Sequence, residues 1–348
     1  MSLPKTYKAY RRTRGDLPRT IEPTIEHLPK ELAPDEVIIK IHAVSLNFRD
    51  VGMLNGKYPV PVQEHGIAAS DCAAEVVAIG SNVKDFNIGD RVSPCFNLSD
   101  LTGKERDGIS QTLGGDVGVL AEYAVFDQKV LVHLPKHLTW EEASTIPCCG
   151  VTAWNSLKRP NLVDEDTSAL LQGTGGVSMF ALLICIAAGI TPIITSSSDS
   201  KLESIKNLSP AIKAFNYHTH PNQAEEVKRL TDGKGVDIVI NNTGPASFPA
   251  DLESLRQNHG TISLVGFLED KKADWDPNAI LGLMVKGASI QGIRVGSKAD
   301  LEEVNRFLEE KSVRLDKIID RTFWFDEAKD AFDYLWSGKH VGKIVVKI

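Results

Sequence analysis

The stretch Leu170 to Phe180, LLQGTGGVSMF, constrains the fold more than any other part of this 348-residue chain. An apolar run from Ser168 to Leu171 leads into Gly173, Gly175 and Gly176, and Val177 to Ala188 continues without a proline. That order predicts a strand, a glycine turn and a helix. Glycines permit the tight turn and the close approach of a ligand, and the N–H groups at a helix start supply donors and a partial positive charge. Gly173, Thr174, Gly175, Gly176 and Val177 are therefore the expected cradle for the diphosphate of a dinucleotide. The fingerprint G-x-G-x-x-G ends here in Ser178, so the motif alone is a partial match, equally compatible with a glycine turn that holds nothing.

The residues that follow decide between the two. About 20 residues past the glycine turn the pattern calls for a second strand whose end reads the adenosine ribose. Thr191 to Thr195 is that strand, and Ser196, Ser197 and Ser198 stand at its end with no acid among them. Hydroxyls followed by Lys201 offer donors and a positive charge to a 2′-phosphate, whereas a carboxylate would repel it. Ser197 and Lys201 are the expected phosphate readers, and NADPH is the expected cofactor. Asp199 is the competing group. The spacing Ser200-x-x-Glu203 predicts a capping box, which puts Asp199 at a helix start.

A chain of this length holds two domains with ample core. The net charge of −7 is dispersed, which argues against nucleic acid as a partner, and the cluster Arg11, Arg12, Arg14 is expected to be a solvated turn between short strands. No apolar run is long enough to span a bilayer, and the start MSLPKTYKAY lacks the apolar core of a secretory signal. Five cysteines without a C-x-x-C pair are expected to be reduced and mostly buried, as in the cytoplasm.

Up to about residue 125 the chain alternates in short runs such as Glu36 to Ile41, Ala73 to Ile79, Asp90 to Ser93 and Ala121 to Phe126, predicting a β-rich domain. From about Trp140, buried strands (Ser168 to Leu171, Pro192 to Thr195, Val236 to Asn241, Thr261 to Val265) alternate with helices such as Gln223 to Leu230 and Phe248 to Gln257. Repeated β-α-β units give a doubly wound parallel sheet, and the fold class is α/β. A helix from Lys298 to Glu310 leads to a mixed tail that returns to the first domain. The expected divisions are 1–130, 131–297 and 298–348. The loop Asn97 to Gly118 is expected to be an exposed insertion.

The order of several motifs resembles the zinc-independent branch of the medium-chain dehydrogenase/reductase superfamily, which includes quinone oxidoreductase-like and enoyl reductase-like enzymes. The carriers are Ser45-Leu-Asn47-Phe-Arg-Asp50, Asn55-Gly56-Lys-Tyr58-Pro59, Ala73-Ala-Glu75-Val-Val-x-x-Gly80, Phe86-x-x-Gly89-Asp90-Arg91-Val92, Leu120-Ala-Glu122-Tyr123, Cys149-Gly150-x-Thr152-Ala-Trp154, the Gly173 turn and Gly260-Thr-Ile-Ser-Leu-Val265-Gly266. The resemblance covers nearly the whole chain. It implies a GroES-like β-rich catalytic domain formed from both chain ends, a Rossmann cofactor domain between them, and a homodimer joined along the edge strand Ala288 to Ile293. It also implies that Tyr217 lies by the 2′-phosphate.

Alcohol dehydrogenases of the superfamily hold a catalytic zinc on two cysteines and a histidine. The matching positions are Asn47, Ser70 and Cys149 or Cys148, so one ligand of three remains and no metal is expected. Hydride transfer to a conjugated acceptor, a quinone or an α,β-unsaturated carbonyl, needs less polarisation, because the arriving charge delocalises onto oxygen. Asn47 and Tyr58 are the candidate donors to that oxygen, Tyr58 by its match to a residue near the substrate in quinone reductase-like relatives. Arg49 or Asp50 is placed to orient these donors, which makes Asp50 a candidate catalytic residue, but Asp50 is expected rather to cap or brace the short helix after the loop, with Arg49 exposed. Asn242 and Gly244, then Gly266, Phe267 and Leu268, fall after strands at the carboxyl edge of the sheet and are expected to line the nicotinamide. Two rivals remain: a metal-free alcohol or aldehyde reductase, and a cofactor-binding protein with little activity.

Overall fold

Strand Glu36–Leu46, EVIIKIHAVSL, is the spine of the first unit, because nearly every residue from Val37 onward is buried and three strands pair with it. The computed structural model describes residues 3–60, 62–106, 111–158, 166–266 and 272–348. The chain divides into two units, 1–151 with 295–348, and 152–294. In the first, the sheet runs in the order Ile319–Trp324, Lys343–Lys347, Glu36–Leu46, Asp71–Ile79, Arg91–Pro94, Leu131–His133, with Tyr123–Asp127 also on Glu36–Leu46. A hairpin of Thr6–Arg12 and Ile21–His27 stands apart. The last strand is antiparallel to the spine and pairs Ile344 with Leu46, which brings Lys343 across from Asn47. Both chain ends thus build one GroES-like unit.

Three expectations change here. The segment 131–151 belongs to this first unit, because Leu131–His133 pairs with Arg91–Pro94 and the turn of helix Trp140–Ala143 packs on the spine. Arg12 is not solvated: it is 4% exposed, and its guanidinium donates to the carbonyls of Gln63 at 2.8 Å and Gly114 at 2.5 Å. Burial pushes its pKa down to about 10, against the pull of Asp50. The described part of loop 97–118 is likewise not a plain exposed insertion, since Leu113 and Gly114 are buried and their carbonyls accept from Arg49 and Arg12.

The second unit is a six-stranded, all-parallel sheet in the order Lys213–Asn216, Thr191–Ser196, Ser168–Leu171, Ile238–Asn241, Thr261–Leu264, Ser289–Gly292. The central strands are short apolar runs buried on both faces, as parallel sheets covered by helices require. The chain winds outward from Ser168–Leu171 to one side and then, from Ile238–Asn241, to the other. The crevice at that reversal lies beside the glycine turn. Leu170, Val239 and Ile262 from three strands pack with Val227 and Phe248 from two helices in the core. Helix Gln223–Leu230 here, and helix Lys298–Glu310 in the first unit, match the sequence reading. Helix Phe248–Ser254 ends earlier than expected because Leu255 turns extended and bridges Val236. Among the described residues no helix is long and apolar enough to cross a membrane.

Candidate functional site

In the second unit, Gly173 adopts φ +75° and Gly175 is the N-cap of helix Gly176–Ala188 without a side-chain capping bond. A Cβ placed on either glycine would meet nothing within 4 Å, so space stands open over the turn. Gly173 gives its own N–H to Thr195 Oγ1 at 3.1 Å, which leaves the helix start as the main set of donors. These features fit a dinucleotide diphosphate. The Ser178 departure from the fingerprint is absorbed locally. Its buried hydroxyl donates to Gln172 O at 2.8 Å and accepts from Asn242 Nδ2 at 2.9 Å.

Asn242 belongs to the run Asn241-Asn242-Thr243, whose side chains join the glycine turn to the neighbouring strand end. Thr243 Oγ1 donates to Gln172 Oε1 at 3.0 Å, and Asn241 Nδ2 donates to Asp251 Oδ2 at 2.6 Å. Asp251 also accepts from Gln172, Gln223 and Ser247. Burial pushes its carboxyl up to about 6, more than these four donors pull it down. Gly244, at φ +118°, and Gly266 follow the neighbouring strands Ile238–Asn241 and Thr261–Leu264. A Cβ on Gly266 would lie 2.1 Å from Asn242 O, so only glycine fits. Phe267 and Leu268 lie outside the described residues.

At the ribose-reading end, Ser198 rather than Ser200 caps helix Asp199–Lys206, through Lys201 N–H, and no capping box forms. Ser198 is therefore committed to the helix, while Ser197 and Tyr217 are exposed. Asp199 opens the helix as expected, and its Oδ1 accepts from Asn216 Nδ2 at 2.9 Å, which anchors a carboxylate beside the strand ends.

The first unit gathers a second cluster around helix Phe48–Leu54. Asn47 is its N-cap, and Asp50 braces it by accepting Asn47 N–H at 2.8 Å, as the sequence suggested. Asn47 Nδ2 donates to Asp71 Oδ2 at 2.9 Å and to Ser70 Oγ at 3.3 Å, so both amide hydrogens face inward. Its Oδ1 accepts from Lys343 Nζ at 2.6 Å, and the same ammonium reaches Leu46 O at 2.6 Å. Burial pushes Asp71 up to about 7 despite Lys343 and Asn47, and Asp50 is raised for the same reason. Cys149, buried nearby in sequence to Asp71's partner Cys148 N–H, has its thiol pushed up to about 12.

Arg49 departs from expectation. It is 8% exposed, because its Nε donates to Tyr58 Oη at 3.1 Å, its Nη1 to Leu113 O, and its plane lies over the rings of Tyr58 and Phe96. Sequence reading missed Lys343, whose only signal was a cation opening the otherwise buried final strand.

Two family models match the chain, an alcohol dehydrogenase GroES-like domain over residues 33–136 and a zinc-binding dehydrogenase domain over 176–310. A zinc-type alcohol dehydrogenase-like protein of Schizosaccharomyces pombe is 37% identical over 94% of this chain and 95% of that protein. A quinone oxidoreductase of Pseudomonas aeruginosa is 31% identical over 66% of this chain and 64% of its own length. The crystal structure of a candidate alcohol dehydrogenase from Sinorhizobium meliloti superposes with a TM-score of 0.90 at 30% identity, covering 100% of both chains.

Proposed function

Because this chain belongs to the medium-chain dehydrogenase/reductase superfamily of oxidoreductases, we propose that it is an NADPH-dependent, metal-independent reductase of quinones or α,β-unsaturated carbonyls. The observation that carries this reading is the Lys343 ammonium on Asn47 Oδ1. Zinc would need the side chains at positions 47, 70 and 148 or 149, which here are an amide, a hydroxyl and a thiol. The amide oxygen already holds a cation, and a divalent ion beside that ammonium would be repelled. The residues do not fit zinc. Among the described residues, no group of three His, Cys, Asp or Glu could hold a metal either.

Without a Lewis acid, an acceptor that spreads charge over a conjugated path is the substrate class that requires least from the protein. The similarity to a quinone oxidoreductase supports the same class. Bound NADPH supplies the hydride. The glycine turn and helix start hold its diphosphate, the crevice by Asn242, Gly244 and Gly266 receives the nicotinamide, and Ser197, Lys201 and Tyr217 face the 2′-phosphate. A second reading, NADH, is favoured by one observation: the Asp199 carboxylate held by Asn216 at the strand ends.

Titration of the chelator-treated protein with both cofactors, followed by turnover with 1,4-benzoquinone and trans-2-hexenal, tests this function. NADPH is expected to bind more tightly and to support turnover without metal. Lys201→Ala is expected to weaken NADPH by about 1.5–3 kcal/mol, the range for a hydrogen bond to a charged group, and NADH little. Equal losses for both cofactors, or activity restored only by zinc, would overturn the assignment.

A homodimer belongs to the same proposal. Strand Ser289–Gly292 ends the parallel sheet with all four residues exposed, and Leu281, Met284 and Val285 expose apolar surface on the helix before it. An unpaired edge beside apolar side chains is a template for a second copy. Sedimentation equilibrium is expected to give twice the chain mass, and a shift to monomer in Ile290→Pro. A wild-type monomer would refute the interface.

A further inference from the structure

We propose that Arg49 binds the oxygen of the substrate through Nη2 and stabilises the negative charge that develops there. This rests on the reductase reading above and names the residue that performs its central electrostatic task. A guanidinium has five N–H donors in a fixed plane, and a buried one left unpaired is costly. Arg49 Nη2 is buried without a hydrogen-bond partner among the described residues, although Nε and Nη1 of the same group are both paired. No carboxylate among the described residues forms an ion pair with it: Asp50 accepts instead from Asn47 N–H and the Ser70 hydroxyl.

The surroundings favour an oxygen acquiring negative charge. Arg12, Arg49 and Lys343 are buried cations, facing the two buried carboxylates Asp50 and Asp71, of which the second is held up to about 7. The rings of Tyr58 and Phe96 lie against the guanidinium, 4.9 and 4.7 Å from its Cζ. Gly114 and Gly115 pack against the guanidinium with no side chain between. A Cβ on Gly114, at φ +74°, would come within 2.8 Å of Nη1, and one on Gly115 would sit 3.6 Å from Nη2.

The step balances with the proposed reactants. With NADPH bound, its C4 hydride would pass to a carbon of the conjugated acceptor, forming a C–H bond there while the acceptor's π pair moves to its oxygen. The cofactor would leave oxidised and the acceptor as an enolate that takes a proton from solvent; the enolate of a quinone then tautomerises to the hydroquinone. A charge-assisted N–H···O⁻ bond strengthens as the charge arrives, which is the condition for lowering the barrier. Tyr58 is placed beside the same oxygen by its bond to Nε.

Two measurements test the proposal. In the first, Arg49→Met and Arg49→Lys are compared with wild type for dinucleotide affinity, thermal midpoint and turnover of 1,4-benzoquinone and trans-2-hexenal. Unchanged dinucleotide affinity with kcat lowered about 100- to 1,000-fold in Arg49→Met, and partial recovery in Arg49→Lys, is the expected pattern. A folded Arg49→Met protein with wild-type kcat would overturn it. The second requires neither turnover nor a stable variant: 4-nitrophenol is titrated into the wild-type protein with oxidised cofactor, and its absorbance reports ionisation. The site is expected to bind the phenolate and lower the dye's apparent pKa. A bound dye with unaltered ionisation, or no binding at all, would refute an oxyanion role for Arg49. Phenolate binding without turnover of either acceptor would instead leave Arg49 in place and reject the reductase reading.

Discussion

Gly175→Asp is expected to abolish dinucleotide binding while leaving the protein as stable as before, or slightly more so. Gly175 sits at φ −76° and ψ −179°, a conformation any residue adopts, and a Cβ there meets nothing within 4 Å. It is the N-cap of a 13-residue helix with no side-chain cap. Aspartate is among the favoured N-cap residues and its charge suits the helix start, so the substitution should add about 0.5–1 kcal/mol. The same carboxylate would occupy the N–H groups proposed to hold the diphosphate and oppose its charge. A loss of affinity of at least about 100-fold, or about 2.7 kcal/mol, is the expected result. Fluorescence titration with NADPH alongside a thermal melt checks both halves. Retained binding in a normally folded variant would mean that the turn is not the phosphate cradle.

The contrast between the two units shows what a sequence carries on its face. The glycine turn, its strand and its helix were legible because they are contiguous: a short apolar run, positive-φ glycines and an uninterrupted helix fall within 20 residues or so. The parallel sheet followed from repetition of that unit. Even Ser178 left a trace, since its partner Asn242 stands at a strand end that the same pattern marks as lining the cofactor. The first unit's cluster was legible only in part. Asn47 and Asp50 are three residues apart and form a local capping arrangement, which spacing can suggest.

Lys343 lies 296 residues from Asn47, and their meeting depends on the register between the final strand and Glu36–Leu46. Nothing local encodes that register. Arg12 and Arg49 were misjudged for a related reason. A charged side chain is normally solvated, and these two are buried because carbonyls of a glycine-rich loop some distance along the chain, at Leu113 and Gly114, receive their N–H groups. The capping residue of helix Asp199–Lys206 shifted by two positions because either Ser198 or Ser200 has the chemistry, and the preceding strand's length decides which lies at the boundary.

Lys343→Met is expected to cause the largest loss of stability of any single change in the first unit, and the loss should depend on pH. Lys343 is 3% exposed, and its charge acts on both buried carboxylates. Removing one partner from a buried charge cluster typically costs about 3–5 kcal/mol, because the remaining charge is left uncompensated. Asp71 sets the pH window. Its folded pKa of about 7 lies above its ordinary value of 3.8, so the folded state holds the proton more tightly than the unfolded state. Its contribution to stability is present below the ordinary value and disappears as pH rises through about 7. Lys343 opposes that loss by favouring the ionised form. Its removal should therefore cost most at pH 8, where Asp71 is charged, and less at pH 5, where the carboxyl is already neutral and mainly two hydrogen bonds are lost. Urea unfolding of Lys343→Met at both values measures the difference, and Lys343→Met/Asp71→Asn should recover stability at pH 8 because it removes the stranded charge. An equal penalty at pH 5 and pH 8, with no recovery in the double variant, would show that Lys343 serves there as a hydrogen-bond donor and not as the counter-charge that takes a cation's place beside Asn47.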